Sequence, residues 1–501
     1  WGSTQRVDPR AGEGGRVFPR FRARGGRGGF DCVIGNPPWE QIMLHDREFF
    51  AMTHPDIATA VNAADRDRMI NELPQNNPEL YLSYQTADAN ALRMLKYVRE
   101  SGDFPLTGKG RTNLYMCFAE RAIAIVAHNG RVGLLVPSGI ATDDTTKEFF
   151  NNLMDRKALV SLYDFENRKK VFEDVDGRFK FTALVFGGSE VSVDQADFVF
   201  FAHDVEEVSE INKARHITLT AEDMKLLNPN TKTCPIFRTT RDAELTRDIY
   251  KRVPILIDEN RKKGGNPWGI SFKQGLFNQT SDAKKFVKPE TLKKSGYAMN
   301  GNNWVKGKKV YLPLYEAKML QAFDHRAAGV VIAEKNWMRQ GQTIDTSLVQ
   351  HVNPEYLAIP RSWVLTAEVE AELPDLRPGY IAYKRITSAT NTRTMIACML
   401  PRAASVNSVC LILPELSFSA ELSCALVGNL NAYVFDYVAR QKVGAVDLNF
   451  FIVEQLPTLP PDTYADKCPW SRQETLEDWI SERVLKLSCT AEDMIPLAKA
   501  C

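Results

Sequence analysis

The sequence predicts a doubly wound α/β sheet followed by a second domain of mixed α+β structure. Buried-strand patterns alternate with a helical pattern between residues 30 and 163, and beyond about residue 190 the pattern changes to short strands, helices and loops. The length of 501 residues exceeds one ordinary hydrophobic core and favours two or three domains. The predicted fold class is therefore α/β, with a mixed domain after the sheet.

The predicted sheet begins with residues 30–34 (FDCVI). This run is short, apolar and β-branched, which is typical of a buried strand in a parallel sheet. Apolar side chains recur at helical spacing over residues 113–127, and Gly130 provides a stop. Residues 131–136 and 158–163 then predict two further buried strands. Because strand, helix and strand alternate, we predict a doubly wound sheet.

Later changes of pattern set the predicted domain boundaries. Residues 179–188 (FKFTALVFGG) alternate and predict an antiparallel strand that closes the sheet. Thr220 begins a capping box for a helix, and residues 426–440 predict another helix. We divide the chain into a flexible Gly/Arg-rich lead-in (1–29), the sheet domain (30–190), a linker (191–215), the mixed domain (216–460) and a helical tail (461–501).

Composition and cysteine usage exclude several classes of protein. No apolar run approaches the ~20 residues that would span a bilayer, and no signal peptide is present, so we expect no membrane segment. The nine cysteines include no CxxC pair, which argues against a metal centre and fits the reducing cytoplasm. The net charge of +1 means that any surface for a polyanion must be a local basic patch.

The strongest chemical signal is the motif Asn36-Pro37-Pro38-Trp39, which directly follows the first predicted strand. An adenine amino group is a weak nucleophile because its lone pair is delocalised into the ring. The side-chain oxygen of Asn36 and the carbonyl of Pro37 can each accept one N–H bond of such an amine, which localises the lone pair. These residue types therefore indicate chemistry at an exocyclic amine.

The other two residues of the motif fit the same chemistry. The two prolines fix their φ angles, and Pro38 lacks an N–H, so the turn is stiff. Trp39 offers a π face on which an extruded base can stack. Ligands of open α/β sheets bind beyond the carboxyl ends of strands, where this motif lies. The alternative is that the prolines only break a loop and that Trp39 packs beneath it.

The sequence resembles the amino-methyltransferases of restriction-modification and phage-defence systems, in the type IIG-like subgroup whose target-recognition domain follows the catalytic domain. Four segments carry the resemblance: residues 30–39, 113–137, 167–186 and 220–461. In the last of these, Pro313–Lys318 (PLYEAK), Phe323–Arg326 (FDHR) and residues 431–455 are the most similar parts. Small methyltransferases of release factors or ribosomal RNA share the motif but have no such extension.

The resemblance implies the C-terminal part of a Rossmann-like methyltransferase sheet followed by a target-recognition domain. It implies transfer of a methyl group from S-adenosylmethionine to the N6 amine of adenine in double-stranded DNA, with Pro38 on the cofactor side. Other subunits of a defence system are further expected partners. In the third segment Phe172 matches the second aromatic of the family and is expected to face Trp39 across the base. Phe179 and Phe181 are expected to be core aromatics, and Asn113 and Tyr115 to shape the pocket.

Basic residues near the motif and in the distal domain are candidates for contacts with phosphate. We expect DNA to be contacted by Lys169, Lys170, Arg178, Lys180, Lys384, Arg385 and Arg393, with further basic residues at Lys306, Lys308 and Lys309. Most charge runs, however, are solvated faces of a protein. His325 is expected to be structural, because methyl transfer to an amine requires neither a metal nor a histidine.

The family pattern also requires a glycine-containing loop after an earlier strand and acidic residues after the following strands. Only 29 residues precede residue 30, whereas three βα units need on the order of 80. We therefore expect these elements to be missing from this sequence, and the chain by itself to have weak or no affinity for the cofactor. Two alternatives remain open: a DNA-binding fragment without catalysis, and an RNA or protein amino-methyltransferase.

Overall fold

A computed structural model describes residues 28–60, 63–331, 342–375, 377–415, 418–443 and 446–500. Most of the predicted lead-in, residues 1–27, lies outside the described residues. The chain divides into two compact units. Unit 1 contains the residues up to Glu210 together with Thr218–Thr220, and unit 2 contains Ile211–Ile217 and the residues from Ala221 onward.

Unit 1 contains a mixed sheet with helices that connect its strands. Its strands are β1 (Phe30–Gly35), β2 (Val126–Pro137), β3 (Leu159–Glu166), β4 (Lys180–Gly187), β5 (Ala196–Ala202) and β6 (Ile217–Leu219). Its helices are α1 (Asp46–Ala51), α2 (Pro55–Ala58), α3 (Ala63–Asn76), α4 (Pro78–Glu100), α5 (Leu114–Ile125), α6 (Gly139–Thr142) and α7 (Lys147–Asp155). The strands predicted at residues 30, 131, 158 and 179 and the helix predicted at residue 113 are therefore present.

The sheet has the order β1-β2-β4-β3-β5-β6. β1 runs parallel to β2, β4 runs antiparallel to both β2 and β3, and β5 runs parallel to β3. The predicted antiparallel strand thus lies inside the sheet and does not close its edge. The apolar run ADFVFFA forms β5 and is almost wholly buried, so the sheet extends beyond the predicted boundary at residue 190 and into the predicted linker.

Two predictions about the start of the sheet are wrong. β1 is exposed and not buried, because β2 is its only neighbour in the sheet order of the described residues; Ile34 is 83% exposed. Gly130 does not end the helix, which stops at Ile125, but lies within β2. A Cβ at Gly130 would lie 2.7 Å from the Phe30 carbonyl oxygen, so the close approach of β1 to β2 requires glycine there.

Unit 2 has mixed α/β structure with several small sheets. Its strands are β7 (Ile270–Lys273), β8 (Ala298–Asn300), β9 (Asn303–Lys306), β10 (Lys309–Tyr315), β11 (Ala328–Val331), β12 (Gln342–Asp345), β13 (Trp363–Leu365), β14 (Gly379–Lys384), β15 (Ala397–Pro401), β16 (Ala404–Ser405) and β17 (Val409–Pro414). Its helices are α8 (Ala221–Leu227), α9 (Thr240–Arg252), α10 (Pro289–Lys294), α11 (Leu348–Val352), α12 (Thr366–Glu372), α13 (Ala420–Leu430), α14 (Tyr433–Arg440), α15 (Phe450–Val453), α16 (Leu476–Ser488) and α17 (Ile495–Ala498).

The sheets of unit 2 share a core. One sheet has the order β13-β10-β9-β8, with β16 beside β10, and another has the order β15-β14-β17-β7. Leu314, Tyr380 and Leu411 belong to the large apolar cluster between these elements. The single helix predicted at residues 426–440 is two helices, because the chain turns at Asn431, whose side chain bonds the backbone of Ala397.

Within the described residues, no helix is both long and apolar enough to cross a membrane.

Candidate active site

The NPPW motif (residues 36–39) lies at the edge of the unit 1 sheet where several strands end. β1 and β2 are parallel, with Gly35 opposite Leu134, so both finish at this edge. β3 ends and β4 begins there, because Phe165 and Phe181 are paired in register. The loop from residue 167 to residue 179, which we call the β3–β4 loop, therefore meets the motif at the carboxyl edge of the sheet.

The chain on either side of the motif is anchored. β1 holds the preceding residues against β2. After the motif, the Glu40 carbonyl accepts the N–H of Leu114 at 2.9 Å, and the N–H of Ile42 donates to the Thr112 carbonyl at 3.0 Å. The motif is thus a short bridge between two fixed points, which limits how far its acceptors can move.

Inside the motif, exposure alternates. Asn36 and Pro38 are exposed, Pro37 is buried and Trp39 is half-buried. The indole N–H of Trp39 donates to the Leu135 carbonyl at 3.3 Å, which fixes the ring at the end of β2. Trp39 also packs against the apolar cluster that contains Phe165 and Phe181 while part of it remains accessible, so its stacking on a base stays a prediction beside the alternative of a packed Trp39.

Asn113 and Tyr115, expected to shape the pocket, are placed near the segment that follows the motif by a bridge at Asn113. Asn113 forms a β-bridge with Gln41, and Tyr115 is buried in the first turn of α5. Burial raises the pKa of Tyr115, and the nearby Asp143 carboxylate adds to the rise. This phenol therefore stays neutral near neutral pH.

Three phenylalanines surround Trp39. Phe179 stacks on it, with centroids 5.8 Å apart and planes at 12°, and Phe181 lies at 6.4 Å and 29°. Phe172 lies edge-on, at 6.4 Å and 77°. The expected face-to-face arrangement of Phe172 and Trp39 is therefore absent, and the nearly parallel partner on the open side is Phe179, which is 46% exposed.

Sequence reasoning ranked Phe179 below Phe172, although one signal pointed to it. Phe179 and Phe181 are two residues apart at the start of an alternating strand, so they share one side of the chain. Phe181 is buried against Phe165 and fills the core, whereas Phe179 precedes the strand and is exposed. Trp39 and Phe179 already stack on each other, so Phe179 would have to move away from Trp39 to admit a base between them.

Asn167 holds the β3–β4 loop in place. Its buried side-chain amide donates to the carbonyls of Phe172 and Val175 at 2.8 and 2.9 Å, and its oxygen accepts the Phe172 N–H at 2.9 Å. Its own backbone N–H donates to the Phe179 carbonyl at 3.0 Å. One asparagine therefore fixes both ends of the segment that carries the two aromatic residues beside Trp39.

Two carboxylates lie at the base of this loop. Asp164 is buried, accepts hydrogen bonds from the Ser138 hydroxyl and the Phe201 N–H, and has a pKa raised by burial. Burial also acts to raise the pKa of Glu166, but Arg168 and Lys180 outweigh it, so its pKa is lowered. The pKa values of the two carboxyl groups are therefore shifted in opposite directions.

The four cations predicted to contact DNA in unit 1 all have partners within the unit. Lys169 pairs with Asp204 at 3.1 Å, and Lys180 pairs with Glu166 at 3.5 Å. Arg178 makes a two-pronged contact with Asp176, and the ammonium of Lys170 donates to the Val175 carbonyl at 2.7 Å. These side chains stabilise the loop before they meet any ligand.

Three of the predicted cations of unit 2, Lys384, Arg385 and Arg393, are half-buried. Lys384 is half-buried, and burial lowers its pKa. Arg385 pairs with Asp447 at 3.3 Å. Arg393 donates to the Asn431 carbonyl and stacks on Tyr433 with its guanidinium carbon 4.5 Å from the ring centroid.

His325 has a structural environment. It is fully buried, and its Nε2 lies 3.0 Å from the Asp493 carboxylate. Within the part of the chain that the structure describes, no group of three or more His, Cys, Asp or Glu side chains is arranged to hold a metal ion.

Comparison with known proteins finds a family match over part of the chain. Residues 82–172 match the family described as the Eco57I restriction-modification methylase. Over these residues the resemblance to restriction-modification methylases is confirmed. The matched segment runs from α4 through β3 to Phe172 and does not include the NPPW motif. A search of the curated proteins found no match.

Solved structures of restriction-modification enzymes are also similar to this chain, at low identity. The type IIG restriction endonuclease BpuSI is 11% identical, with 83% of this chain and 51% of that chain covered and a TM-score of 0.28. The type IIL enzyme MmeI in complex with DNA is 11% identical, with 81% of this chain and 52% of that chain covered and a TM-score of 0.34. A putative class I S-adenosylmethionine-dependent methyltransferase from Listeria monocytogenes is 13% identical, with 22% of this chain and 33% of that chain covered and a TM-score of 0.17. The chain spans about half the length of the first two proteins, and at these TM-scores we base no argument on the likeness.

Proposed function

We propose that this chain is the methylating part of a restriction-modification or phage-defence system and that it methylates the N6 amine of adenine in double-stranded DNA. The observation that carries the proposal is the anchored pair of acceptors, Asn36 and Pro37, beside the half-exposed ring of Trp39. The methylase match of residues 82–172 supports the same reaction class.

The acceptors act on the amine of an extruded adenine. The Asn36 side-chain oxygen and the Pro37 carbonyl each accept a hydrogen bond from one N–H of the amine. These bonds draw the hydrogens out of the ring plane, so the lone pair is no longer delocalised into the ring and is concentrated on nitrogen. That nitrogen would form a bond to the methyl carbon of a sulfonium donor while the carbon–sulfur bond breaks and leaves a neutral thioether, and the nitrogen would then lose one proton to solvent. Within the described residues the Asn36 side chain has no other hydrogen-bond partner, so its oxygen is available.

S-adenosylmethionine would supply the methyl group from its sulfonium centre. The residue on this side of the site is Pro38, exposed at the carboxyl end of β1 and held stiff by its own ring. The exposed edge of β1 continues from it, so the described residues form one wall of such a site.

Trp39 and Phe179 would receive the base. Stacking of a base on an aromatic side chain contributes about 1–3 kcal/mol, and the exposed position of Phe179 lets it move aside or cover the base at small cost to the fold. Phe172, edge-on to Trp39, then lines the slot and does not face the base.

A second candidate is a DNA-binding protein without catalysis. The exposed lysines of unit 2, among them Lys306, Lys308 and Lys309, favour it, because they can bind phosphate without a methyl donor. This candidate keeps the recognition role of unit 2 and removes the methyl transfer.

The proposal is tested by methylation of DNA with the full chain and S-adenosylmethionine, followed by mass spectrometry of the digested nucleosides. We expect N6-methyladenine with the wild type, a loss of at least ~100-fold with Asn36→Ala, and little change with Asn129→Ala, an exposed asparagine of the same unit. Equal activity of Asn36→Ala would refute the assignment of the motif. Sequence-selective DNA binding by the wild type without methylation would favour the second candidate.

A further inference from the structure

We infer that the turn between β9 and β10, together with α10, forms a surface that binds the phosphates of duplex DNA; the inference rests on the DNA partner of the proposed function. Residues 284–309 contain eight lysines and a single carboxylate, Glu290. Lys285 pairs with Glu368, and the other seven lysines are exposed. We call these seven the lysine surface: Lys284, Lys288, Lys293, Lys294, Lys306, Lys308 and Lys309.

The tip of this surface is a turn whose charges repel one another. Lys306 at the end of β9 lies directly opposite Lys309 at the start of β10, and Lys308 lies in the turn between them. Gly307 adopts a φ of 57°, the left-handed conformation that a tight turn needs. Like charges directly opposite on paired strands destabilise the pair. A bound anion would therefore reduce the repulsion between the lysines of this turn.

The helix that carries two more of the lysines is tied to the same turn. The ammonium of Lys306 donates to the Ser295 carbonyl at 2.7 Å, and Ser295 immediately follows α10, which ends with Lys293 and Lys294. The charges on α10 and on the β9–β10 turn therefore belong to one continuous surface.

A small aromatic core holds these elements rigidly. Leu292 of α10, Trp304 of β9 and Trp363 of β13 are buried together, and the two indoles meet edge to face at 6.0 Å and 89°. The Trp363 indole N–H also donates to the Asn302 carbonyl at 2.8 Å. Because the backbone beneath the lysines is ordered in advance, less conformational freedom is lost when a polyanion binds.

The lysine surface differs from the cations predicted near the motif in having no ion pairs within the described residues. Lys169, Arg178 and Lys180 are each held by a carboxylate. Lysine is a flexible point charge, suited to phosphate contacts and poorly suited to reading base edges. The surface therefore supplies affinity and orientation on DNA and not sequence preference.

The test compares DNA binding by the full chain with that of the triple variant K306Q/K308Q/K309Q. Binding of a fluorescein-labelled duplex of mixed sequence is followed by anisotropy over a range of KCl concentrations, without cofactor. We expect the slope of log K against log salt to become shallower by about three and the affinity at low salt to fall on the order of tenfold for every duplex sequence.

A matched control removes three cations that already have partners. R241Q/K251Q/K486Q changes the net charge equally, but these side chains are held by Glu244, Asp248 and Glu482. We expect its slope to change by less than about one. The inference would be overturned if this control lost as much DNA affinity as K306Q/K308Q/K309Q, or if the slope of log K against log salt were unchanged in K306Q/K308Q/K309Q.

Two further measurements separate binding from folding and DNA from other polyanions. K309E removes the repulsion with Lys306, so its melting temperature should be unchanged or higher while DNA binding weakens. A triple variant that loses binding to phosphatidylserine vesicles but keeps DNA binding would also overturn the inference. Absent methylation with an intact lysine effect counts against the proposed function alone, and normal methylation with an unchanged slope counts against this inference alone.

Discussion

The β3–β4 loop and the β9–β10 turn both carry clusters of positive charge, but they use it differently. In the first, Lys169, Arg178 and Lys180 pair with carboxylates, and a buried asparagine bonds the backbone. In the second, three lysines crowd a four-residue turn without an ion pair among the described residues. The comparison shows that positive charge near a predicted site can serve to build the loop, while charge distant in the sequence is left available to a ligand.

The largest effect that tests this comparison concerns the aromatic residues of the first region. Phe181→Ala should lower the free energy of unfolding by about 3–5 kcal/mol, because the ring is buried against Phe165. Phe179→Ala should lower it by less than about 1 kcal/mol, because the ring is largely exposed. Urea unfolding measures both values.

The same pair of variants separates packing from stacking on a base. With 2-aminopurine at the target adenine, Phe179→Ala should reduce the fluorescence change on binding, although its fold is intact. If Phe179→Ala is as unstable as Phe181→Ala, or leaves the fluorescence response unchanged, Phe179 is a core residue only.

A smaller loss is expected at Asn167. Asn167→Ala leaves the N–H of Phe172 without its partner and removes one of the donors to the carbonyls of Phe172 and Val175, which should cost about 1–3 kcal/mol in urea unfolding. Asn167→Asp keeps the acceptor for Phe172 but places a buried carboxylate oxygen against the carbonyls of Phe172 and Val175, so near pH 7 it should be at least as unstable as Asn167→Ala.

Asn129→Ala is the matched control, since Asn129 is exposed, and it should stay within about 0.5 kcal/mol of the wild type. Asn167 is a positioning residue, so its variants should also weaken the 2-aminopurine response. A stability loss with a normal fluorescence response would mean that the asparagine supports the fold alone.

The smallest effect is the pH dependence of the ion pairs at the base of the loop. The pKa of Glu166 is lowered in the folded protein, so its contribution to stability is present above its ordinary pKa of 4.5 and is lost as the pH falls through the lowered value. Glu166→Gln should remove that part of the acid sensitivity and cost about 1 kcal/mol or less near pH 7. The K306Q/K308Q/K309Q variant should lose stability with acid as the wild type does, because none of the three replaced lysines pairs with a carboxylate of the described residues. A changed dependence of its stability on pH would contradict the comparison.

Strand and helix positions in unit 1 were predictable because local sequence determines them. β2, β3 and β4 are each formed by a run of apolar and β-branched residues. Such a run predicts a strand without any knowledge of the neighbouring strands. The exposure of β1 was not predictable in this way, because an apolar run reports that a strand forms and not how many strands cover it.

The details of the site depend on contacts between distant parts of the chain. The amine acceptors were readable from residues 36–39 alone, since their chemistry depends on residue type and order. The orientation of Phe172 depends on hydrogen bonds to Asn167, and the pairing of Lys169 depends on Asp204, 35 residues away. Arg178 pairs with Asp176, only two residues away, and this local contact was not predicted.

The hydrogen bond from the Trp39 indole to the Leu135 carbonyl also makes the site observable by spectroscopy. Pro37 and Pro38 have no amide proton, so backbone amide signals are blank at those two positions of the motif. The indole proton of Trp39 takes their place, as one of eight tryptophan resonances in a ¹⁵N spectrum of the chain. Its chemical shift and its exchange with solvent would report, without added label, whether the motif is closed against β2 or has opened to receive a base.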